Sequence, residues 1–241
     1  LLEIRNLLHV RRVTLASLGI NEPTAIQNMH IGLLRNVGER PYVMPVEREQ
    51  GEIMIAQLYD DQLAVFDRVR DSLENNLPLN LFIDGCGGCG KTFLYRTICH
   101  FVRGRGEDIL PTAWTGIAAA LIQGGQTCHT RFGLPVPFNS TSRSYIKGQT
   151  NVANRIRNAK VIMCDEASMI PGVFLIELDR LLRDLETGRD KRRLPFAGKI
   201  ILLSGDFRQT LPIFKCLTKH ELLEKTLCRT GDLWDIFERV M

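Results

Sequence analysis

NLFIDGCGGCGKTFLYRTICH, residues 80–100, decides the fold, because its hydrophobic period changes across a glycine-rich break. Before the break a short apolar run reads as a strand. After it Phe93, Leu94, Ile98, Phe101 and Val102 fall on one helical face. The order is strand, loop, helix. Two motifs overlap in the loop. Gly85, Gly90, Lys91 and Thr92 match the spacing G-x-x-x-x-G-K-[ST] without a gap, while Cys86 and Cys89 form a Cys-x-x-Cys pair.

The phosphate-loop reading has a physical reason for each residue. Glycines let the chain turn so that successive N–H groups point inward at phosphate oxygens, and the helix start adds its positive dipole end. Residues Gly85, Cys86, Gly87, Gly88, Cys89, Gly90, Lys91 and Thr92 are therefore the expected nucleotide-binding set. Lys91 is expected to reach the terminal phosphates, and the Thr92 hydroxyl to hold Mg²⁺. A structural zinc site wants four ligands, and the sequence has no second Cys-x-x-Cys and no paired histidines. The two cysteines thus read as small side chains that the loop tolerates. They are expected to react more readily than buried thiols, and bound Mg-ATP to shield them.

The alternation extends outward from this loop. Upstream, LYDDQLAVFDRVRDSL (residues 58–73) places Leu63, Val65, Phe66 and Val69 at helical spacing and ends in the turn-forming ENNLP. Downstream, DILPTAW precedes GIAAALIQ, KVIMCDEA precedes PGVFLIELDRLLRDLE, and GKIILLSGDF runs into a loop. Short strands each followed by a helix predict a parallel sheet covered on both faces, a three-layer α/β fold. Residues 1–57 read as a helical appendage of short amphipathic helices and polar connections, and residues 58–241 as the main domain. Residues 139–151 read as a surface insertion and GRDKRR (residues 188–193) as a solvated basic loop.

Composition narrows the class. The 241 residues are 44% hydrophobic and 24% charged, near the average for a globular protein, so neither disorder nor a membrane span is expected. The amino-terminal stretch mixes charges into its apolar residues and lacks the core of a secretory signal. Seven cysteines, an odd count, point to free thiols in a reducing intracellular compartment. A net charge of +4 is compatible with a nucleic-acid partner without demanding one.

A phosphate loop alone names a nucleotide and not a reaction. In VIMCDEAS four apolar residues carry Asp165 and Glu166 to a strand's carboxyl end, where Asp165 is expected to hold the Mg²⁺ shell and Glu166 to orient or deprotonate an attacking water. GDFRQ sets Asp206, Arg208 and Gln209 at another strand end, near the same phosphates. Gln62 precedes the loop strand, with an amide suited to the adenine edge.

The series Gln62, GCGGCGKT, TAWTGIAA, GGQTCHTRFGLP, DEAS and GDFRQTLP resembles, in order and interval, the front half of the Pif family of superfamily 1 DNA helicases. The resemblance covers about residues 58–237. SLGINEP and TCHTRFGLP are more similar to the Pif-type module encoded by Helitron transposons. The resemblance implies a RecA-like P-loop NTPase domain in which Lys91, Thr92, Asp165, Glu166 and Gln209 serve ATP and Mg²⁺, with Gln62 on adenine. It implies that Thr115, Gly116, Thr127 and His129 touch single-stranded DNA and that Trp114 stacks on a base. The implied partners are ATP, single-stranded DNA and duplex junctions, with no membrane. The implied working form is a monomer acting in the nucleus, with the mitochondrion as the alternative.

Two departures qualify the resemblance. Cys86 and Cys89 stand where the family usually has Pro or Ala and Thr or Ser. The sequence also ends at LWDIFERVM, ahead of the motifs that form the family's second motor domain and supply arginines across the cleft. The activity implied is ATP-dependent unwinding of DNA, present as its ATP-binding half, and the isolated segment is expected to hydrolyse ATP slowly and not to unwind. The alternatives are a remnant that binds ATP or single-stranded DNA without turnover, and a P-loop kinase, which leaves GDFRQ unexplained.

Overall fold

A computed structural model describes residues 42–136, 138, 139, 141–209 and 232–240. The first 41 residues, including SLGINEP, lie outside it, as do residues 210–231 with the end of GDFRQTLP. Six strands form one sheet: β1 (Leu79–Asp84), β2 (Ile109–Ala113), β3 (Gln126–Thr127), β4 (Val161–Asp165), β5 (Ile200–Gly205) and β6 (Glu238–Val240). Their spatial order is β3-β2-β4-β5-β1-β6, and every pairing is parallel. The three-layer α/β expectation holds.

The helices needed here are α1 (Met44–Ile55), α2 (Asp60–Asn75), α3 (Lys91–Gly104), α4 (Gly116–Ala120), α5 (Cys128–Phe132), α6 (Asn151–Asn158), α7 (Val173–Leu185) and α8 (Arg189–Arg193). Apolar cores lie on both faces of the sheet. Leu81 and Ile83 pack with Val65, Phe66 and Val69 of α2 and Leu94, Ile98 and Val102 of α3. Phe82 packs in the other cluster, with Phe174 and Leu178 of α7 and with Trp234. Each such side chain, fully buried, contributes about 1.5–3 kcal/mol, so β1 and with it the start of the loop are fixed from both sides. α2 stops where Asn76 takes a left-handed conformation at φ 51°, which asparagine tolerates better than most residues.

α1 lies along α3, where Glu47 Oε2 sits 2.7 Å from His100 Nδ1 and Arg48 donates to the Gly104 carbonyl at 3.2 Å. GRDKRR differs from its reading as a loop. Residues Arg189–Arg193 form a helical turn, held because Arg192 donates to the carbonyls of Arg183 and Asp184 at the end of α7. The stretch at residues 139–151 is also tied down, with Ser144 N–H donating to Glu177 of α7 and its hydroxyl to the Phe132 carbonyl.

Candidate active site

The loop between β1 and α3 is shaped by glycine where the backbone requires it. Gly88 and Gly90 hold φ of 82° and 83°, a region in which a side chain is strained. Gly90 also caps α3, so the helix begins at Lys91 and points its amino-terminal end into the loop. Lys91 Nζ donates to the carbonyls of Gly85 and, at 2.9 Å, Cys86. Thr92 follows on the first turn of the same helix.

β4 and β5 bring the acidic groups to the same edge of the sheet. Asp165 is buried, and its Oδ1 accepts hydrogen bonds from the Ser204 hydroxyl at 2.5 Å and the Glu166 N–H at 2.9 Å. Ser204 belongs to β5 and is itself fully buried, so it orients the carboxylate from the neighbouring strand. Both bonds fall on Oδ1. Together with the Thr92 hydroxyl this carboxylate makes a hard oxygen donor set of the kind that suits Mg²⁺, an ion usually held by one or two protein oxygens plus water and phosphate.

Glu166 adopts a left-handed conformation at φ 56°, uncommon for a non-glycine residue and typical of functional sites. Burial, reinforced by the charges of Asp165 and Asp206, raises its carboxyl above the ordinary glutamate range, and Lys91 offsets part of that rise. An acid so shifted is better matched to proton transfer near neutral pH.

The β5 end adds Asp206, Arg208 and Gln209. Asp206 Oδ1 accepts from both the backbone N–H and Nε of Arg208 at 2.9 Å, and this contact holds its carboxyl below the usual range. Arg208 also reaches Asp84 at the end of β1, at 3.4 Å. Gln209 lies with its amide against Gly87, where any side chain at that position would collide with it. At Gly205 it is backbone that approaches, and the missing side chain admits the Ser168 N–H.

Gln62 ties α2 to the loop. Its Oε1 accepts from the Tyr59 N–H at 3.3 Å and its Nε2 donates to the Cys89 carbonyl at 3.2 Å. Gly85 to Thr92, Asp165, Glu166, Gln209 and Gln62 therefore all stand around one strand-end cleft. Ser204 and Asp84 belong to this cleft and were not singled out in the sequence. The signal for Ser204 was a lone hydroxyl within the buried run IILLSG, since a buried polar group needs a partner.

The second predicted group gathers further along the same carboxyl edge, at β2 and β3. The Trp114 N–H donates to the Asp165 carbonyl at 3.3 Å, which links the two groups through backbone. The Trp114 and His129 rings lie 4.5 Å apart, and Phe138 approaches His129 at 6.4 Å. Thr115 and Thr127 cap α4 and α5, accepting from the N–H groups of Ala118 and Thr130. Gly116 faces open space. Partial burial lowers the His129 imidazole, which favours its neutral form.

The comparisons with known proteins agree with this geometry. The model of the PIF1-like helicase family matches residues 57–241. The ATP-dependent DNA helicase PIF1 of Trypanosoma brucei brucei is 30% identical over 205 residues, covering 82% of this chain and 21% of that protein. The ATP-dependent DNA helicase RRM3 of Saccharomyces cerevisiae is 32% identical over 161 residues, covering 64% of this chain and 21% of that protein. The chain thus spans about a fifth of the length of these curated relatives. The crystal structure of Pif1 helicase from Candida albicans superposes with a TM-score of 0.58 at 25% identity, over 76% of this chain and 39% of that one. A Bacteroides Pif1 structure in complex with ADP-AlF3 and ssDNA shares the fold, with a TM-score of 0.60 at 23% identity, over 76% of this chain and 42% of that one. The chain belongs to the PIF1-like helicase family.

Proposed function

We propose that residues 58–241 are the first motor domain of an ATP-dependent DNA helicase, in which ATP hydrolysis drives movement along single-stranded DNA and unwinding at duplex junctions. The observation that carries this reading is the convergence of three strand ends: the loop after β1, Asp165 and Glu166 after β4, and Gln209 after β5. The relatives are named ATP-dependent DNA helicases, and the same activity is assigned here by that kinship.

In this mechanism the loop N–H groups and Lys91 bind the β- and γ-phosphates, and Gln62 meets the adenine edge. Thr92 and Asp165 would hold Mg²⁺, which would supply charge neutralisation at the phosphate oxygens. Glu166, with its raised carboxyl, accepts a proton from the attacking water. Gln209 senses the terminal phosphate from the β5 side. DNA lying on Trp114, Thr115, Gly116, Thr127 and His129 is coupled to the ATP side through the β2 and β4 strand ends, which the Trp114 N–H joins at the Asp165 backbone carbonyl. Contacts made by amides, hydroxyls and aromatic faces need no base preference, as a translocating motor requires. We infer the nucleus as the place of action, with the mitochondrion as the second candidate.

The test is ATP hydrolysis with and without single-stranded DNA, together with strand displacement on a tailed duplex by the full-length protein. Hydrolysis stimulated by single-stranded DNA and displacement dependent on ATP are the expected results. ATP binding with no hydrolysis under any DNA condition would replace the motor by a binding remnant.

A further inference from the structure

The phosphate loop carries two thiols for which ATP binding has no use. Cys86 and Cys89 are both exposed, whereas Cys99, Cys128 and Cys164 are buried. The Cys89 N–H donates to the Cys86 carbonyl at 3.3 Å. Such a bond closes a turn and brings its end residues within about 7 Å, Cα to Cα. A disulfide accepts roughly 4.4–6.8 Å. The two residues between them, Gly87 and Gly88, have no side chains, and Gly88 has open space around it at φ 82°. Cys89 Sγ also lies 3.9 Å from Lys91 Nζ, and the pair stands directly before the start of α3.

We propose that Cys86 and Cys89 form a modification site, at which a small carboxylate-bearing disulfide of the oxidised-glutathione class cross-links the loop and closes it to ATP. The inference rests on the nucleotide reading above. The reagent is suited to the site because the features that attract phosphate, the Lys91 ammonium and the helix end, attract carboxylates equally. One cysteine, as thiolate, attacks a sulfur of the reagent, whose S–S bond breaks. A mixed disulfide forms and one reduced thiol leaves with its electron pair and takes up a proton. The second cysteine then attacks the protein-side sulfur of that mixed disulfide and releases the second reduced thiol. The loop loses two electrons and two protons, and the reagent gains both.

The effect on ATP follows from the turn. The Cys89 N–H that would meet a phosphate oxygen is engaged by the Cys86 carbonyl, and a cross-link between the same two residues holds it there. Lys91, which donates to the Gly85 and Cys86 carbonyls, is restrained with it. The phosphate loop and the thiol pair are thus both functional, in alternate states of one segment.

The experiment equilibrates the full chain with graded ratios of oxidised to reduced glutathione. Peptide mass mapping then follows the segment that contains both cysteines, and Mg-ATP affinity is measured on the same samples. The expected result is a loss of two hydrogens within that peptide and a fall in affinity of at least about tenfold, the loss of one amide–phosphate bond, restored by reductant. Saturating Mg-ATP added first is expected to protect the thiols. Cys86→Ala is expected to stop at the mixed disulfide on Cys89, with no loss of two hydrogens within that peptide. A wild-type product that stops at the mixed disulfide, or a cross-link with unchanged affinity, overturns the proposal. A reduced chain that binds no Mg-ATP removes the nucleotide reading and this regulation together, and it is recognised separately because mass mapping needs no nucleotide.

Discussion

Ser204→Ala tests how Asp165, the carboxylate proposed to hold Mg²⁺, is positioned. The Ser204 hydroxyl donates to Asp165 Oδ1 at 2.5 Å, both residues are buried, and the Glu166 N–H is the other donor on that oxygen. A hydrogen bond to a charged group contributes about 1.5–3 kcal/mol. Its removal leaves Asp165 with one donor on Oδ1 and free to turn away from the metal position. If even the lower part of that range is felt by the cation, the Mg²⁺ concentration for half-maximal hydrolysis rises by at least about tenfold. The assay is steady-state ATP hydrolysis over a Mg²⁺ titration, with circular dichroism to confirm that the variant folds. The maximal rate at saturating Mg²⁺ is expected to recover most of the wild-type value, because Glu166 and Lys91 are untouched. A folded variant with an unshifted Mg²⁺ midpoint would refute the positioning role of Ser204.

Other expectations concern separate parts of the cleft. Because burial and neighbouring carboxylates raise Glu166, its proton-accepting form is lost at higher pH than for an ordinary glutamate; the acid limb of the pH–rate profile should lie above the usual glutamate range, and a limb within that range would contradict its role as base. Gly116→Glu places a negative charge in open space beside the aromatic pair. It should weaken single-stranded DNA binding by about 1 kcal/mol at low salt, less at high salt, with ATP affinity unchanged; fluorescence anisotropy with a labelled oligonucleotide decides this. His100→Ala removes the partner of the buried Glu47 and should lower thermal stability by about 1–3 kcal/mol, while a melting curve identical to wild type would show that α1 contributes nothing through this contact.

The parts of the fold that were legible in the sequence are those where local pattern and buried environment agree. β1, β4 and β5 are mostly apolar because both faces of the sheet are covered, and each ends at a polar cluster on the same edge. β3 and β6 were missed. They contain two and three residues, and their strand character comes from pairing with β2 and β1 and not from any periodicity of their own. α8 has no buried residue and exists through the Arg192 contacts to α7, information that a basic hexapeptide does not carry. α6, also missed, opens at Thr150, whose hydroxyl accepts the Ala153 N–H at 3.2 Å. That cap lies inside what reads as a polar insertion, so the helix start was masked by its setting.

In the cleft, the motif residues were legible because phosphate chemistry demands particular side chains at fixed spacing. Their supports were not. Asp84 and Ser204 act through pairings between strands that are far apart in sequence, Ser204 with Asp165 and Asp84 with Arg208. Gln62 was legible as a polar residue of the right kind, but its observed bonds to the Tyr59 N–H and the Cys89 carbonyl add an anchoring contact between α2 and the loop.

Equilibrium binding of Mg-ATP to the wild type, Lys91→Ala and Glu166→Gln tests the division of labour in the cleft most directly. Lys91 is the ammonium next to the loop and Glu166 the raised carboxyl behind it. The account predicts wild-type affinity with turnover reduced by about 10²–10⁴ for Glu166→Gln, and loss of both binding and hydrolysis for Lys91→Ala. Wild-type affinity and hydrolysis in Lys91→Ala, or loss of binding in Glu166→Gln as complete as in Lys91→Ala, would contradict it.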